Sequence, residues 1–421
     1  MTDGASPAAS LKETIEYGLS HSAKVKGAEA TRASAGLSSE NAESAYLPNL
    51  DSSVSTSAGG SNRAPGELKV PVYASSAELK LSQTIWDGGI RSLQADAARS
   101  SEAVAAINLQ EARDQFILEL ASKYLEYSES VVNLKSQEDQ QKILERQERE
   151  SNDAFRQGMR TKRDHMRLQA GVRRNELTLI ASRDAMVNSV ERLRLFIGSN
   201  PAEGLTFEPI AVLEVVDKKV GAVVAPPIEK TAPYQRDLLL SQIDEINLAE
   251  ERRKSFWPSV DLSAATGYQA QNFIGPAAET IHANEGLYWS ASLGFKYTIW
   301  DWGTKNRNLM KIVLDQTVSK TSRALALEDL KLKLTTNQRG LNQAVSSYKL
   351  NRDLLALEEE SFSTIQRDFR QGLASYLEIV DATERLQTSR VGVFQSYYGY
   401  QRLLWERRFY EGKIYDAYLA L

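Results

Sequence analysis

The sequence predicts a mainly α-helical fold with a β part, built from two copies of one unit whose long antiparallel coiled-coil helices each follow a pair of strands. Three observations carry that reading. The stretch Leu79–Arg91, LKLSQTIWDGGIR, returns as Leu293–Lys305, LGFKYTIWDWGTK, at an offset of 214 residues (86 to 300). The same offset sets Phe155-Arg156-Gln157-Gly158 over Phe369-Arg370-Gln371-Gly372 without adjustment. After each Trp-Asp-x-Gly comes a proline-free run of some 65 residues, too long at about 1.5 Å per residue to lie within a compact domain. Before each, short segments alternate apolar and polar side chains with the period of a strand.

The first repeat covers residues 1–200. Leu11 to Tyr46, rich in Ala, Ser, Glu and Lys, reads as one helix of roughly 50 Å that Pro48 ends. A hairpin follows at about 49–87. Leu50, Val54, Thr56 and Ala58 share a face opposite Asp51, Ser53, Ser55 and Ser57, and Ala77, Leu79, Leu81 and Ile85 oppose Glu78, Lys80, Ser82 and Thr84. Gly59 to Ala74, with its Gly and Pro pairs, is the connecting loop. A long helix spans about 90–154, where Ile117, Leu120, Tyr124, Tyr127, Val131 and Leu134 step by three and four as in a coiled coil. Gly158 permits the left-handed turn into a returning helix at 161–197.

Residues 201–230, with Asn200-Pro201, Gly204 and Pro226-Pro227, read as a linker with room for one small strand. The second repeat, 231–408, echoes the first. It begins with a shorter helix from Pro233 to Trp257. The Leu47-Pro48-Asn49-Leu50-Asp51 signal recurs as Trp257-Pro258-Ser259-Val260-Asp261 at an offset of 210 (51 to 261), so a loop absorbs four residues. The second hairpin, about 259–301, sets Trp289, Ala291, Leu293, Phe295, Tyr297 and Ile299 on one face. The long helix at 304–368 carries Leu327, Leu334, Leu341, Tyr348 and Leu355 at strict sevens. Gly372 turns the chain into a returning helix at 375–408, and 409–421 forms a short amphipathic tail. Each returning helix covers part of its long partner, and the helices before the hairpins are available to stack end to end with it.

Composition narrows the function. Lys plus Arg total 51 and Asp plus Glu 55, a net charge of −4, so no nucleic-acid partner is expected. The absence of cysteine removes a disulfide framework, a thiol nucleophile and a cysteine metal site. His21, His165 and His282 are scattered, and no P-loop, Gly-x-Ser-x-Gly or His-Glu-x-x-His occurs. No catalytic residue, cofactor or metal is therefore expected. The start, MTDGASPAAS, has no apolar segment, which suits either a cytoplasmic protein or a secreted one whose leader Met1 replaces, and the strands favour the second.

Strands of about ten residues with one apolar and one small or polar face are what a bilayer-spanning barrel needs. Four strands cannot close a barrel, and hairpins left open in lipid would expose unpaired backbone, so a membrane reading requires several copies to share one cylinder. The alternative is a soluble coiled-coil scaffold or rod whose hairpins sit on its own core.

Taken in order, helix, Leu/Trp-Pro, hairpin, Trp-Asp-x-Gly, long helix, Gly turn and returning helix, twice over, resemble the TolC-like outer membrane channels of Gram-negative bacteria. The resemblance implies a homotrimer that pools four strands per chain into a twelve-stranded barrel in outer membrane lipid, with the helices forming a periplasmic tunnel. It implies an exit duct for drug efflux or type I protein secretion, served by a periplasmic adaptor and an inner-membrane transporter, and a leader peptide that this sequence lacks. It also assigns residues. Glu378 and Asp381 match the acidic pair that narrows the family's periplasmic mouth, where a threefold ring of carboxylates would attract cations and raise its own pKa values. At the same offset the first repeat has Asp164 and Arg167, and with Arg160 and Arg163 these suggest salt links between the two tips. Gly158, Met159, Gly372 and Leu373 stand where the adaptor docks.

Overall fold

A computed structural model describes residues 8–61, 70–159, 161–198, 206–212, 231–274 and 280–419. The chain divides into two compact units, one made of Arg32–Ala106 with Asp237–Arg323, the other of Met1–Thr31, Ile107–Arg236 and Ala324–Leu421.

The first unit holds four strands, β1 (Asn49–Ser61), β2 (Val70–Trp86), β3 (Ser259–Ile274) and β4 (Thr280–Lys296), in one antiparallel sheet of order β1-β2-β3-β4. Asn49 faces Ser82 in β1–β2 and Ser259 faces Lys296 in β3–β4, so the duplication seen in the sequence is kept residue for residue in the pairing. The β2–β3 register, Lys80 opposite Ala265, joins the hairpins. Leu50, Leu81, Ala264 and Ala291 consequently form one row across the sheet, with Leu79, Thr266 and Trp289 in the next row on the same side. The apolar halves of four separate strands thus become one face, fully presented: Val54 is 84% exposed and Trp289 82%. The opposite face is Asp51, Glu78, Lys80 and a row of Ser82, Ser263 and Ser292. On it Tyr288 donates to Glu78 at 2.5 Å. The ring crosses β3 at Gly267, where a Cβ would stand 3.1 Å from it and 2.4 Å from the Ala77 carbonyl.

The second strand of the second hairpin was expected to alternate through Ile299, but β4 stops at Lys296. Its ladder partner β3 begins at Ser259, opposite Lys296, so among the described residues no strand lies beside 297–300. β2 runs on to Trp86 because Asp261 and Val260 pair with its end.

Both Trp-Asp-x-Gly signals start long helices: α3 (Ile90–Arg156) and α6 (Thr304–Arg370), of 67 residues each. The Asp87 carboxylate accepts the amides of Gly89 (2.9 Å) and Arg91 (3.0 Å), and Asp301 accepts those of Gly303 (3.0 Å) and Lys305 (2.7 Å). Each satisfies amides that a helix start leaves orphaned. The Lys305 amide is the main reason the Asp301 carboxyl lies below its ordinary range. In the intervening position Gly88 has φ +69 and Trp302 φ +55. A left-handed tryptophan costs roughly 1–2 kcal/mol.

The expected single helix over Leu11–Tyr46 is two, α1 (Leu11–His21) and α2 (Ala23–Ser44). Ser22, extended at φ −61 and ψ 128, breaks it, donating to the Gly18 carbonyl and accepting from Lys26, so one residue caps both helices. The break lets α1 follow its own buried side, Leu11, Thr14, Ile15 and Gly18, where Phe116 fills the space a Gly18 side chain would need. The remaining helices are α4 (Lys162–Ile197), α5 (Ala232–Phe256), α7 (Tyr376–Tyr410) and α8 (Ile414–Leu419). Gly198 ends α4 at φ +72 beside the His21 carbonyl, so α1 and α4 meet end to end. Ile117, Leu120 and Tyr124 of the predicted stripe are completely buried, as is Leu341 of α6. The tail turns at Gly412 into α8, whose Tyr418 donates to Glu16 at 3.0 Å. Of the linker, residues 206–212 are described, and Phe207 forms a parallel bridge with Ala9.

Candidate functional site

The two helical tips are built alike. Gly158 (φ +74) and Gly372 (φ +77) supply the left-handed residue, and no atom would meet a Cβ at either, so backbone conformation alone requires glycine there. The Met159 amide reaches the Ala154 carbonyl at 2.9 Å and the Leu373 amide the Asp368 carbonyl at 2.8 Å, the Schellman pattern in both. That pattern pushes the next side chain outward: Met159 is 68% exposed and Leu373 76%. Beside them lies a groove of about 470 Å³ lined by Ser151, Ala154, Met159, Phe369, Arg370 and Gly372, with Arg370 3.7 Å from Glu150.

The returning helices open on caps. Ser375 and Glu378 form a reciprocal capping box: the Glu378 carboxylate accepts the Ser375 amide at 2.6 Å, and Ser375 Oγ accepts the Glu378 amide at 3.3 Å. The Ser375 amide, and then its hydroxyl, hold the Glu378 carboxyl below its ordinary range. Asp381 pairs with Arg385 at 2.5 Å on the exposed side of α7. In the first repeat Thr161 caps α4, accepting the Asp164 amide at 3.2 Å and donating to the Asp164 carboxylate at 2.6 Å. Asp164 thus sits at the same helix position as Glu378 but binds the capping hydroxyl, where Glu378 binds the capping residue's backbone amide. Arg160 lies outside the described residues, Arg163 is exposed, and Arg167 lines a cavity of about 310 Å³ with Arg174, Tyr376 and Glu384. Among the described residues Arg370 with Glu150 is the ion pair that bridges the tips, and none includes Arg163 or Arg167.

Farther from the tips the same helices are joined by groups that sequence reading missed. Gln147 Nε2 donates to Thr383 Oγ1 at 3.1 Å, Ser136 Oγ to Gln387 Oε1 at 3.2 Å and Asn175 Nδ2 to Gln141 Oε1 at 2.9 Å, all buried. Gln147 Oε1, Gln387 Nε2 and Ser151 Oγ are buried there without a partner. The available signal was the spacing of Gln137, Gln141, Gln147 and Ser151 on the inward side of α3. Nearer its middle, Tyr124 donates to the Glu208 carbonyl (2.5 Å), Tyr127 to Phe207 (2.8 Å) and Tyr398 to Ile210 (2.6 Å). Burial pushes the Tyr124 and Tyr398 hydroxyls well up, so they stay donors. No group of side chains that could hold a metal occurs among the described residues, and no described helix is long and apolar enough to cross a membrane.

The whole chain can be laid on solved outer membrane channels. That of Campylobacter jejuni, CmeC, superposes with a TM-score of 0.81 over 96% of this chain and 86% of its own, at 14% identity. The chain has the TolC-like fold. VceC of Vibrio cholerae, an outer membrane protein, gives 0.78 over 96% of each chain at 15% identity. The open-state outer membrane channel MtrE of Neisseria gonorrhoeae gives 0.75 over 96% and 89% at 14%. Neither a protein-family model nor a curated protein sequence matches. Because the TolC-like fold spans both units, it accounts for strands and helices together.

Proposed function

We infer that the chain is one protomer of a trimeric outer membrane export channel. The observation that carries this is the sheet: one face is mainly apolar across all four strands, the other is polar, and among the described residues β1 and β4 have no outer partner. An open sheet in lipid leaves a row of orphan amides and carbonyls at each margin, and three copies pooling twelve strands remove every margin. The fold's other members described above are outer membrane channels, which supports the same assignment. The helices then stand in the periplasm of a Gram-negative bacterium. The exposed Met159 and Leu373 with Gly158 and Gly372 receive the periplasmic adaptor, which links the channel to an inner-membrane transporter for drug efflux or type I secretion. Glu378 and Asp381 gather around the threefold axis and narrow the mouth, and Arg163 and Arg167 meet acidic groups across protomers.

Reconstitution in planar bilayers tests the reading. Discrete, cation-selective conductance is expected. A preparation that stays in water without detergent and never conducts would favour the coiled-coil rod instead.

A further inference from the structure

The duplication supplies a template for the joint between two copies. Where β2 meets β3, Thr84 stands opposite Asp261 and Trp86 opposite Val260, and Thr84 Oγ1 donates to Asp261 Oδ1 at 2.7 Å. Both partners recur: Thr84 as Thr298 at offset 214, Asp261 as Asp51 at offset 210. Yet Asp51 lies in β1 and Thr298 just past β4, at opposite margins of the sheet, where one chain cannot bring them together. We propose that β4 of one copy pairs with β1 of the next in the register that β2 uses with β3, so that Thr298 donates to Asp51 of the partner subunit. This rests on the trimeric channel reading and adds the register of its joints.

Two further observations point the same way. Transferring the β2–β3 register sets Phe295 opposite Val54 of the partner subunit and Lys296 opposite Ser53 of the partner subunit. The first pair extends the apolar face and the second the polar one. A slip of one residue would set the faces against each other. Secondly, residues 297–300 continue the alternation of β4 but have no strand beside them, and Ile299 and Trp300 are 88% and 73% exposed. In the proposed register Trp300 lies opposite Leu50 of the partner subunit, and the strand is completed. At the left-handed Trp302 the joint must differ from its template. Within the chain Gly88 leaves room for Trp257, whose Cβ is 2.7 Å from where a Cβ at 88 would be. At the joint Leu47 takes the place of Trp257 and still carries a Cβ, while the turn carries Trp302 in place of glycine. The joint must then open by roughly 1 Å to seat Trp302 at carbon–carbon contact distance.

Cysteine pairing tests the register, and the chain contains no cysteine to interfere. The full chain carrying Asp51→Cys and Thr298→Cys, oxidised in membranes, is expected to run mostly as a covalent trimer on a non-reducing gel and to collapse to single chains on reduction. Pairs shifted by two residues, Asn49→Cys or Ser53→Cys with Thr298→Cys, are expected to stay largely unlinked. Stronger linking through a shifted pair would overturn the register. So would the absence of linking by all three pairs in a particle whose native mass is three copies, although the channel would stand. A native mass of one copy would remove both.

Discussion

Two stretches of α3, about twenty residues apart, are held by opposite chemistry. Around Phe116 to Tyr127 the helix buries aromatic and aliphatic side chains, and the tyrosine hydroxyls donate to the backbone carbonyls of Phe207 and Glu208. From Ser136 to Ser151 it meets its neighbours through glutamine, serine, asparagine and threonine, several of them with a buried atom unmatched. Parting the first stretch exposes apolar surface at about 25 cal/mol per Å². Parting the second exchanges neutral hydrogen bonds for water at about 1 kcal/mol each, and the unmatched atoms gain from it. This apolar collar, Phe116 to Tyr127, therefore costs more to part than the polar stretch nearer the tips.

Substitutions can break that contrast. The largest effect is expected of Phe116→Ala, which empties a fully buried site against Phe196 and Gly18 and should cost about 3–5 kcal/mol in denaturant unfolding. A cost under about 1 kcal/mol would show that the collar is not the core.

Next is Asp114, beside the collar. Burial raises its carboxyl to about 6 against a weaker opposing pull from Gln110. A folded pKa above the unfolded one penalises folding once pH exceeds the folded value, and the penalty fades as pH falls from about 6 towards 4. Asp114→Asn should thus stabilise the protein by about 1–2 kcal/mol at pH 7.5 and not at pH 4. Equal effects at both pH values would exclude a buried charge.

In the polar stretch, Gln147→Leu with Thr383→Val removes both partners at once and should shift stability by less than about 1 kcal/mol in either direction. A loss as large as that of Phe116→Ala would erase the contrast. The smallest stability change belongs to Glu378→Gln with Asp381→Asn. Glutamine keeps the capping box, so melting at neutral pH should barely move while the bilayer cation preference falls. Unchanged selectivity would leave Glu378 as a cap only. In the native chain the depressed Glu378 carboxyl supports the helix start above its unfolded pKa, and that support is lost as pH falls through the lower folded value.

The repeat, the four strands, the long helices and both glycine turns were legible because each depends on local pattern: alternation, heptads, a residue that tolerates positive φ. The matching offsets implied that β1–β2 and β3–β4 share one register, without saying which. The break at Ser22 was hidden, since the sequence around it is as helical as the rest and the packing of α1 involves Phe116, distant in sequence. The end of β4 was set by where β3 begins. At the tips, Ser375-x-x-Glu378 and Thr161-x-x-Asp164 were readable as helix starts, a role set by local spacing and independent of any place at the mouth. The tyrosine collar could not be read, because its acceptors come from a linker 80 residues or more away in sequence.

The most direct test of the account is the native mass of protein extracted from outer membranes in detergent. Three copies of the 46.9 kDa chain in one particle, resistant to dissociation and inseparable from detergent, are expected. A detergent-free particle of a single copy, its sheet folded against its own helices, would contradict it.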